Sequence, residues 1–483
     1  MTSIAGDPEA RDAWSTWTAS EREDFFVAIA RHRRAAWRVS VASTVAIAVL
    51  AVIVATLMSP VFYAAIALAL DVANLIAKSP NIVEIVGNQI GPAFDEPAAV
   101  PLERWLQLSG FAALPGLVWM ALIVLALRRM LRTCATPDGG IAGARACNPA
   151  VLAEQRFANV IGEMAVAANL PAPRIFVIAS ASANAVVLGI DEKRASILVS
   201  TALLARLKRE ELQGIAGQLI GALANGDVGI GLHAALALSL FGLNARLSGM
   251  FTDPGAAQRL CAMGRALLMP SAERAQQLAA EIADPFASSE SKVADERRGA
   301  RRQDGDWRRL IWLPLAGPIV ITGFFAGIAS FILLGPLVSL AWRQRKYMAD
   351  ATAVRLTRDP DALSKALEKM SGSGEPLAAW ASHLSIVQSG GNRTGVLGAS
   401  FVPMFPSIER RLAALAKLGA HLSHAPRHMP RRLVLILAPL FAVAGLLMIF
   451  AMCLLIFLST ALTMLFTGLP FGVIHLLLRS LGH

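Results

Sequence analysis

Val39 to Met58 is a run of twenty residues without a charge, closed by Arg38 on one side and by Pro60 just beyond the other. A helix rises about 1.5 Å per residue, so the run matches the ~30 Å hydrocarbon core of a bilayer. The chain has to be arranged around a membrane. Leu106 to Leu127 repeats the pattern and ends in Arg128, Arg129 and Arg132. Arginines at the outer ends of both runs put both flanks in the cytoplasm and the 59–105 loop outside. Within that loop Val61 to Ala77 is apolar but interrupted by Asp71 and Asn74, which suits an interfacial or loop helix. Residues 39–128 are thus expected to form a transmembrane hairpin with spans at 39–58 and 106–127. A cytoplasmic N-terminal segment, 1–38, precedes it and holds an amphipathic stretch from Glu21 to Trp37.

A hydrophobic content of 55% and a mean hydropathy of +0.54 leave room for a soluble core plus several spans. The formal charge of +11 would suit nucleic acid, but the arginines cluster beside apolar runs and no basic helix carries interleaved aromatics. Nucleic acid is therefore not an expected partner; the lipid bilayer is. Cys134, Cys147, Cys261 and Cys453 lack C-x-x-C spacing, so neither a disulfide framework nor a zinc ribbon follows. The N-terminus is polar and of mixed charge, without the basic and apolar regions of a cleavable signal peptide.

Beyond a Gly-rich linker at Asp138 to Gly143, Val151 to Asn169 has helical spacing. Arg174 to Ala179, Asn184 to Gly189 and Ser196 to Ser200 are β-rich runs separated by turn residues. The expected fold is a mainly α membrane protein with an α+β core, a small β-sheet and transmembrane helices. Gly229 to Phe241 reads as a buried helix or a shallow insertion, and Ala256 to Arg309 as a helix and a mobile loop. Leu310 to Trp342 carries no charge over thirty-three residues, too long for one upright span and short for two. It is expected to form a tilted or re-entrant membrane insert (310–342) within a core domain spanning 129–430. Ala351 to Met370 is a charged helix broken at Asp359-Pro360. Leu433 to Leu458 and Thr460 to Leu478, capped by Arg479, are expected to make a C-terminal transmembrane hairpin (431–483) that ends inside.

The most informative stretch is Glu210 to Asp227, a helical run entered through Glu210-Glu211 and closed by Asn225-Gly226. Glycine inside a helix costs about 1 kcal/mol relative to alanine, so propensity does not explain Gly217 and Gly221. The run resembles the zinc helix of membrane metallopeptidases of the HtpX and CAAX-prenyl-protease type, which are gluzincins. In that frame H-E-x-x-H becomes Gly217-Gln218-Leu219-Ile220-Gly221. The chemistry needs two imidazoles four residues apart on one helical face and a glutamate as base for metal-bound water. Glycine offers no ligand, and glutamine keeps the shape of glutamate without its basicity.

Other segments resemble the family in the same order. Asn184-Ala185 is similar to the segment leading into the family's substrate edge, where an extended peptide would bind by strand addition. Arg343-Gln-Arg-Lys-Tyr-Met-Ala-Asp350 resembles a motif whose glutamate is the third zinc ligand; here that position is Lys346 and the later acid, Asp350, is kept. Phe405-Pro-Ser-Ile-Glu-Arg-Arg411 resembles a motif that begins with histidine. The resemblance covers about 151–415 and implies a peptidase scaffold whose zinc site is lost, so no metal or cofactor is expected. It implies a pseudopeptidase in the inner membrane, core domain cytoplasmic, that binds a peptide or membrane-protein partner, including an active paralogue. The alternative is an active zinc endopeptidase with displaced ligands.

Two readings of Lys346 stand side by side. At four residues' separation Lys346 and Asp350 would make an ordinary solvated helix pair worth a few tenths of a kcal/mol. In the other, the Lys346 ammonium fills the metal's space near Gln218 and Asp350. His421, His424 and His428 lie among prolines and arginines in a juxtamembrane linker, and His233 and His383 read as packed or surface residues.

Overall fold

A computed structural model describes residues 22–95, 101–135, 141–248, 256–278, 322–327, 333–372, 377–387, 404–421 and 472–481, with short gaps at 142, 272, 276–277 and 324–325. The helices are α1 (Phe25–Asn74), α2 (Ile82–Asp95), α3 (Leu102–Ala135), α4 (Leu152–Ala167), α5 (Thr201–Arg206), α6 (Arg209–Ala224), α7 (Asp227–Ser248), α8 (Ala256–Leu268), α9 (Gly335–Thr357), α10 (Pro360–Lys369), α11 (Ile408–Lys417) and α12 (Gly472–Leu481). Four strands, β1 (Ala144–Ala146), β2 (Arg174–Ile178), β3 (Ala185–Gly189) and β4 (Ala195–Ser200), form one mixed sheet in the order β1-β2-β4-β3. β2 and β4 are parallel, and the two outer pairings are antiparallel.

Alternating side chains of a strand face opposite ways, and here both faces are covered. Ala185, Val187, Ile197 and Val199 pack under α4 and α6, whereas Val186, Leu188 and Leu198 join a second core. That second core is continuous with Leu50 and Val54 of α1, Met120 to Leu131 of α3, Phe241 of α7 and Trp342 of α9. The sheet and the apolar helices therefore share one interior.

Three described helices are long and apolar enough to cross a membrane: Phe25–Asn74, Leu106–Ala135 and Asp227–Asn244. The first departs from expectation. α1 is one helix of 50 residues, with no end at Arg38 or at Pro60 and no separate helix from Val61. Proline removes a single donor, and α3 is packed against the turn that carries it. Ser59 Oγ donates to Ala55 O at 2.9 Å and accepts from Gly116 N at 3.1 Å, and a Cβ on Gly116 would collide with the Ala55 carbonyl.

The first turns of α1 are not a free lead-in either. Ala28 and Ile29 are buried against Met348 and Ala351 of α9, His32 Nδ1 meets Gln344 Oε1 at 2.8 Å, and Glu23 N donates to Lys417 O at 2.9 Å. Residues 23–32 thus pack against α9 and α11.

α7 is a helix of 22 residues, not a shallow insertion. Buried Asn244 donates to Leu240 O at 2.8 Å and lies 3.8 Å from Met120 Sδ, level with the middle of α3. The charged run at 295–302, most of the 310–342 insert, the 433–458 span, His424, His428 and Cys453 lie outside the described residues. The last residues of the insert, 335–342, open α9. At the C-terminus Arg479 donates to Asp71 near the far end of α1, at 2.8 Å.

The crossing of α1 and α3 generates a prediction. Gly116→Leu has no room at Ala55, so unfolding in detergent, followed by circular dichroism, is expected to be easier by about 1–3 kcal/mol, the usual cost of overpacking. An unchanged midpoint would mean that the two helices do not cross there.

Candidate functional site

α6 begins where Glu211 folds back: its carboxylate accepts from Lys208 N at 2.8 Å and pairs with Lys369 of α10 at 2.6 Å. It ends at Asn225, and Gly226 takes φ +73, a conformation glycine adopts without strain. Arg345 of α9 fastens this turn, donating to Asp227 Oδ1 and to Asn225 O, each at 2.6 Å.

Between these ends, Gly214, Gly217 and Gly221 share one face and let two helices approach closely. A Cβ on Gly214 would lie 2.5 Å from Leu363 N of α10. A Cβ on Gly217 would lie 3.0 Å from Thr357 Cγ2 and 3.4 Å from Ala353 Cα, and one on Gly221 3.1 Å from Ala349 O and from Thr352 Cβ. This is what the helix gains in return for its glycines. It also corrects the expectation of an emptied metal cradle there. Gly217 opposes Ala353 and Thr357, which lie about two and three turns of α9, or roughly 10 and 16 Å, beyond Lys346. Neither glycine looks into a space that a histidine could have filled. The clue in sequence was the spacing of three and four residues, which marks a helix-packing stripe as readily as a metal frame.

Gln218, on an adjoining face, is buried, and its Nε2 has no hydrogen-bond partner among the described residues. Lys346 is 2% exposed. Its Nζ donates to Ser385 O at 2.6 Å and stands 4.9 Å from the centroid of the Phe405 ring. Burial, and secondarily the charge of Arg411, push its pKa down to about 7, against the opposing pull of Asp227 and Asp350. The solvated Lys346–Asp350 pair is therefore also corrected. Asp350 is buried and turns both oxygens to Arg411, at 2.8 Å from Nε and 2.7 Å from Nη2. Tertiary packing brings Arg411 from α11 into the place that local helix spacing assigns to Lys346.

The sheet edge differs from expectation in the same way. β3 is an outer strand, but residues 385–387 already lie along it. Ile386 N donates to Ala185 O at 3.0 Å, Ser385 bridges Val186, and Asn184 Nδ2 donates to Val387 O at 2.9 Å. Arg411 Nη1 donates to Ile386 O at 2.7 Å. Three successive carbonyls of this strap are thus taken by Lys346, Arg411 and Asn184. Asn184 and Ala185 do form an edge, and the chain's own segment occupies it.

Next to the strap, His383 is 1% exposed, its Nε2 beside Gly231, and Trp342 Nε1 donates to its carbonyl at 2.7 Å. Burial, reinforced by the Lys346 charge, pushes its pKa down to about 3 and keeps the ring neutral. His233 Nδ1 meets Gly229 O at 2.6 Å, and His421 pairs with Asp361 at 2.8 Å, so neither stands near Lys346 in a ligand set. Among the described residues no group of three or more His, Cys, Asp or Glu converges to hold a metal. The donor chemistry does not suit zinc either: at the centre stand an ammonium directed at a carbonyl and a phenyl ring facing it.

Comparison with known proteins gives the same frame. The profile described as Peptidase family M48 matches residues 152–419. A protein named Protease HtpX homolog from Thermoanaerobacter pseudethanolicus is 28% identical over 263 residues, 54% of this chain and 71% of that protein. Proteins of the same name from Ligilactobacillus salivarius and Caldanaerobacter subterraneus subsp. tengcongensis are 27% and 28% identical, each over 45% of this chain. The chain spans 58% of the length of each of these two. No solved structure matches.

Two predictions follow from this geometry. Placing histidine at Gly217 and Gly221 forces α6 from α9, and unfolding should become easier by about 1–3 kcal/mol at each site, with no recovery on adding zinc; thermal melts with and without the metal check it. The second concerns pH. Folded Lys346 releases its proton near 7, and the unfolded chain releases it at the ordinary lysine value. Between the two the unfolded state binds more protons, so this group's contribution to stability rises with pH and is constant below about 7. The melting temperature of wild type minus that of Lys346→Met should therefore climb from pH 7 to pH 10; a flat difference would show that the lysine keeps its ordinary pKa.

Proposed function

The chain belongs to peptidase family M48, and from that premise we propose that it is a zinc-less pseudopeptidase of the HtpX type that binds peptide or membrane-protein partners. The observation that carries this reading is the environment of Lys346. A cation whose Nζ donates to Ser385 O and faces the Phe405 ring occupies the position that the family resemblance gives to the third zinc ligand. An amine there supplies no carboxylate ligand, and its protonated form repels a divalent ion.

The sheet edge supports a binding role of a particular kind. An extended peptide adding to β3 has to displace residues 385–387 and leave the Lys346 ammonium without its acceptor. Partners held by apolar helix faces within the bilayer meet no such cost, which favours a membrane protein, including an active paralogue. On this reading the domain lies on the cytoplasmic side of the inner membrane, where Arg128, Arg129 and Arg132 would anchor it.

Full-length protein purified in detergent tests the proposal through metal analysis and casein cleavage. Substoichiometric zinc and no chelator-sensitive cleavage are expected. Stoichiometric zinc, removed by chelator together with cleavage, would establish an active endopeptidase with displaced ligands instead.

A further inference from the structure

α12 is built the wrong way round for a helix that faces water. Its two ionisable side chains, His475 and Arg479, lie four residues apart on one face and turn inward to Asp71, a residue 1% exposed. His475 Nδ1 meets Asp71 Oδ2 at 2.7 Å and Arg479 Nε donates to Oδ1 at 2.8 Å. Arg479 also donates to Ser79 O at 3.3 Å and Pro80 O at 3.1 Å. The opposite face carries Val473, Leu476, Leu477 and Leu481, between 57 and 74% exposed. An apolar face turned outward over an inward polar pair fits acyl chains as its surroundings.

The length of α1 fixes where this happens. Its first turns are docked on the core domain through Ala28, Ile29 and His32. From Val39 to Leu70 it carries no charge, a length greater than the ~30 Å hydrocarbon core at ~1.5 Å per residue. Asp71 is the first charge beyond that stretch. It therefore stands at the membrane face opposite the core domain, and whatever binds it stands there too.

We propose that α12 is an interfacial anchor embedded in the leaflet distal to the peptidase-like domain, its apolar face against lipid acyl chains and its polar face locked to Asp71. On this reading α11 and α12 lie on opposite sides of the membrane. The proposal does not depend on the loss of zinc, since an active peptidase could carry the same anchor.

Two measurements on full-length protein, with its native cysteines replaced, test it. Ser480→Cys and Ser371→Cys are exposed to a membrane-impermeant maleimide in right-side-out and in inverted vesicles. Each should react in one kind of vesicle, and the two should react in opposite kinds; reaction of both in the same kind overturns the proposal. A nitroxide on Leu476→Cys should be relaxed several-fold more by oxygen, which partitions into lipid, than by an aqueous nickel chelate. The reverse order overturns the anchor, and in an Asp71→Ala background the preference for oxygen should fall as the polar face loses its lock.

Discussion

A buried backbone acceptor has to be satisfied, and three consecutive carbonyls at residues 385–387 set the terms for the centre of this molecule. Each is reached by a different side chain from a different element: Lys346 from α9, Arg411 from α11 and Asn184 at the start of β3. The strap thereby ties the sheet edge to two helices far away in sequence. Burying an ammonium and a guanidinium is expensive, and each is retained only with a defined set of partners. Arg411 has both oxygens of Asp350, and Lys346 has a carbonyl and an aromatic face. Removing the strap would leave both cations short of acceptors. Its position follows from theirs.

The same helix, α9, receives the membrane part. One of its faces meets the glycine stripe of α6, and Met348 and Ala351 take the first turns of α1. A 50-residue helix with one end against α9 and Asp71 in its last turns is a continuous connection between the two. Displacement of α9 would be felt at both the strap and α1, because Lys346 serves the strap while Gln344 and Met348, two residues away on either side, serve α1.

Much of this was legible in the sequence, and the limits have physical causes. The runs at 174–179, 184–189 and 196–200 match β2, β3 and β4 to within a residue because β-branched runs bounded by turn residues have few other solutions. The end of α6 was marked by Asn225-Gly226. β1 was missed because Ala-Arg-Ala has no pattern of its own and exists only by pairing with β2. The continuity of α1 was hidden because proline is a stop signal in water, whereas Ser59 and Gly116 of the neighbouring helix accommodate it here. At the site, periodicity tells which residues share a face and not what that face meets. It could group Gly217 with Gly221, but that they meet the backbone of α9 is a tertiary fact. Lys346 and Asp350 satisfy the helix spacing rule, yet Arg411, sixty-one residues on, outcompetes it with two charge-assisted hydrogen bonds in a buried site.

That contest bears on how such a site can change its chemistry. A metal and a buried ammonium are both positive centres, but they demand opposite surroundings. Zinc requires lone pairs directed at it, from groups that have shed their protons. An ammonium supplies three donors and requires acceptors already fixed in place. A strap of backbone carbonyls provides such acceptors without any acidic side chain, and an aromatic ring at Phe405 adds its negative face while excluding water. Beside the protonated amine of Lys346, a histidine at 405 would have its own protonated form disfavoured. Phenylalanine carries no such penalty. Lys346, Phe405 and the 385–387 strap are therefore one unit in the physical sense: the amine needs both the Ser385 carbonyl and the ring face, so changing any one of the three alters what the other two meet.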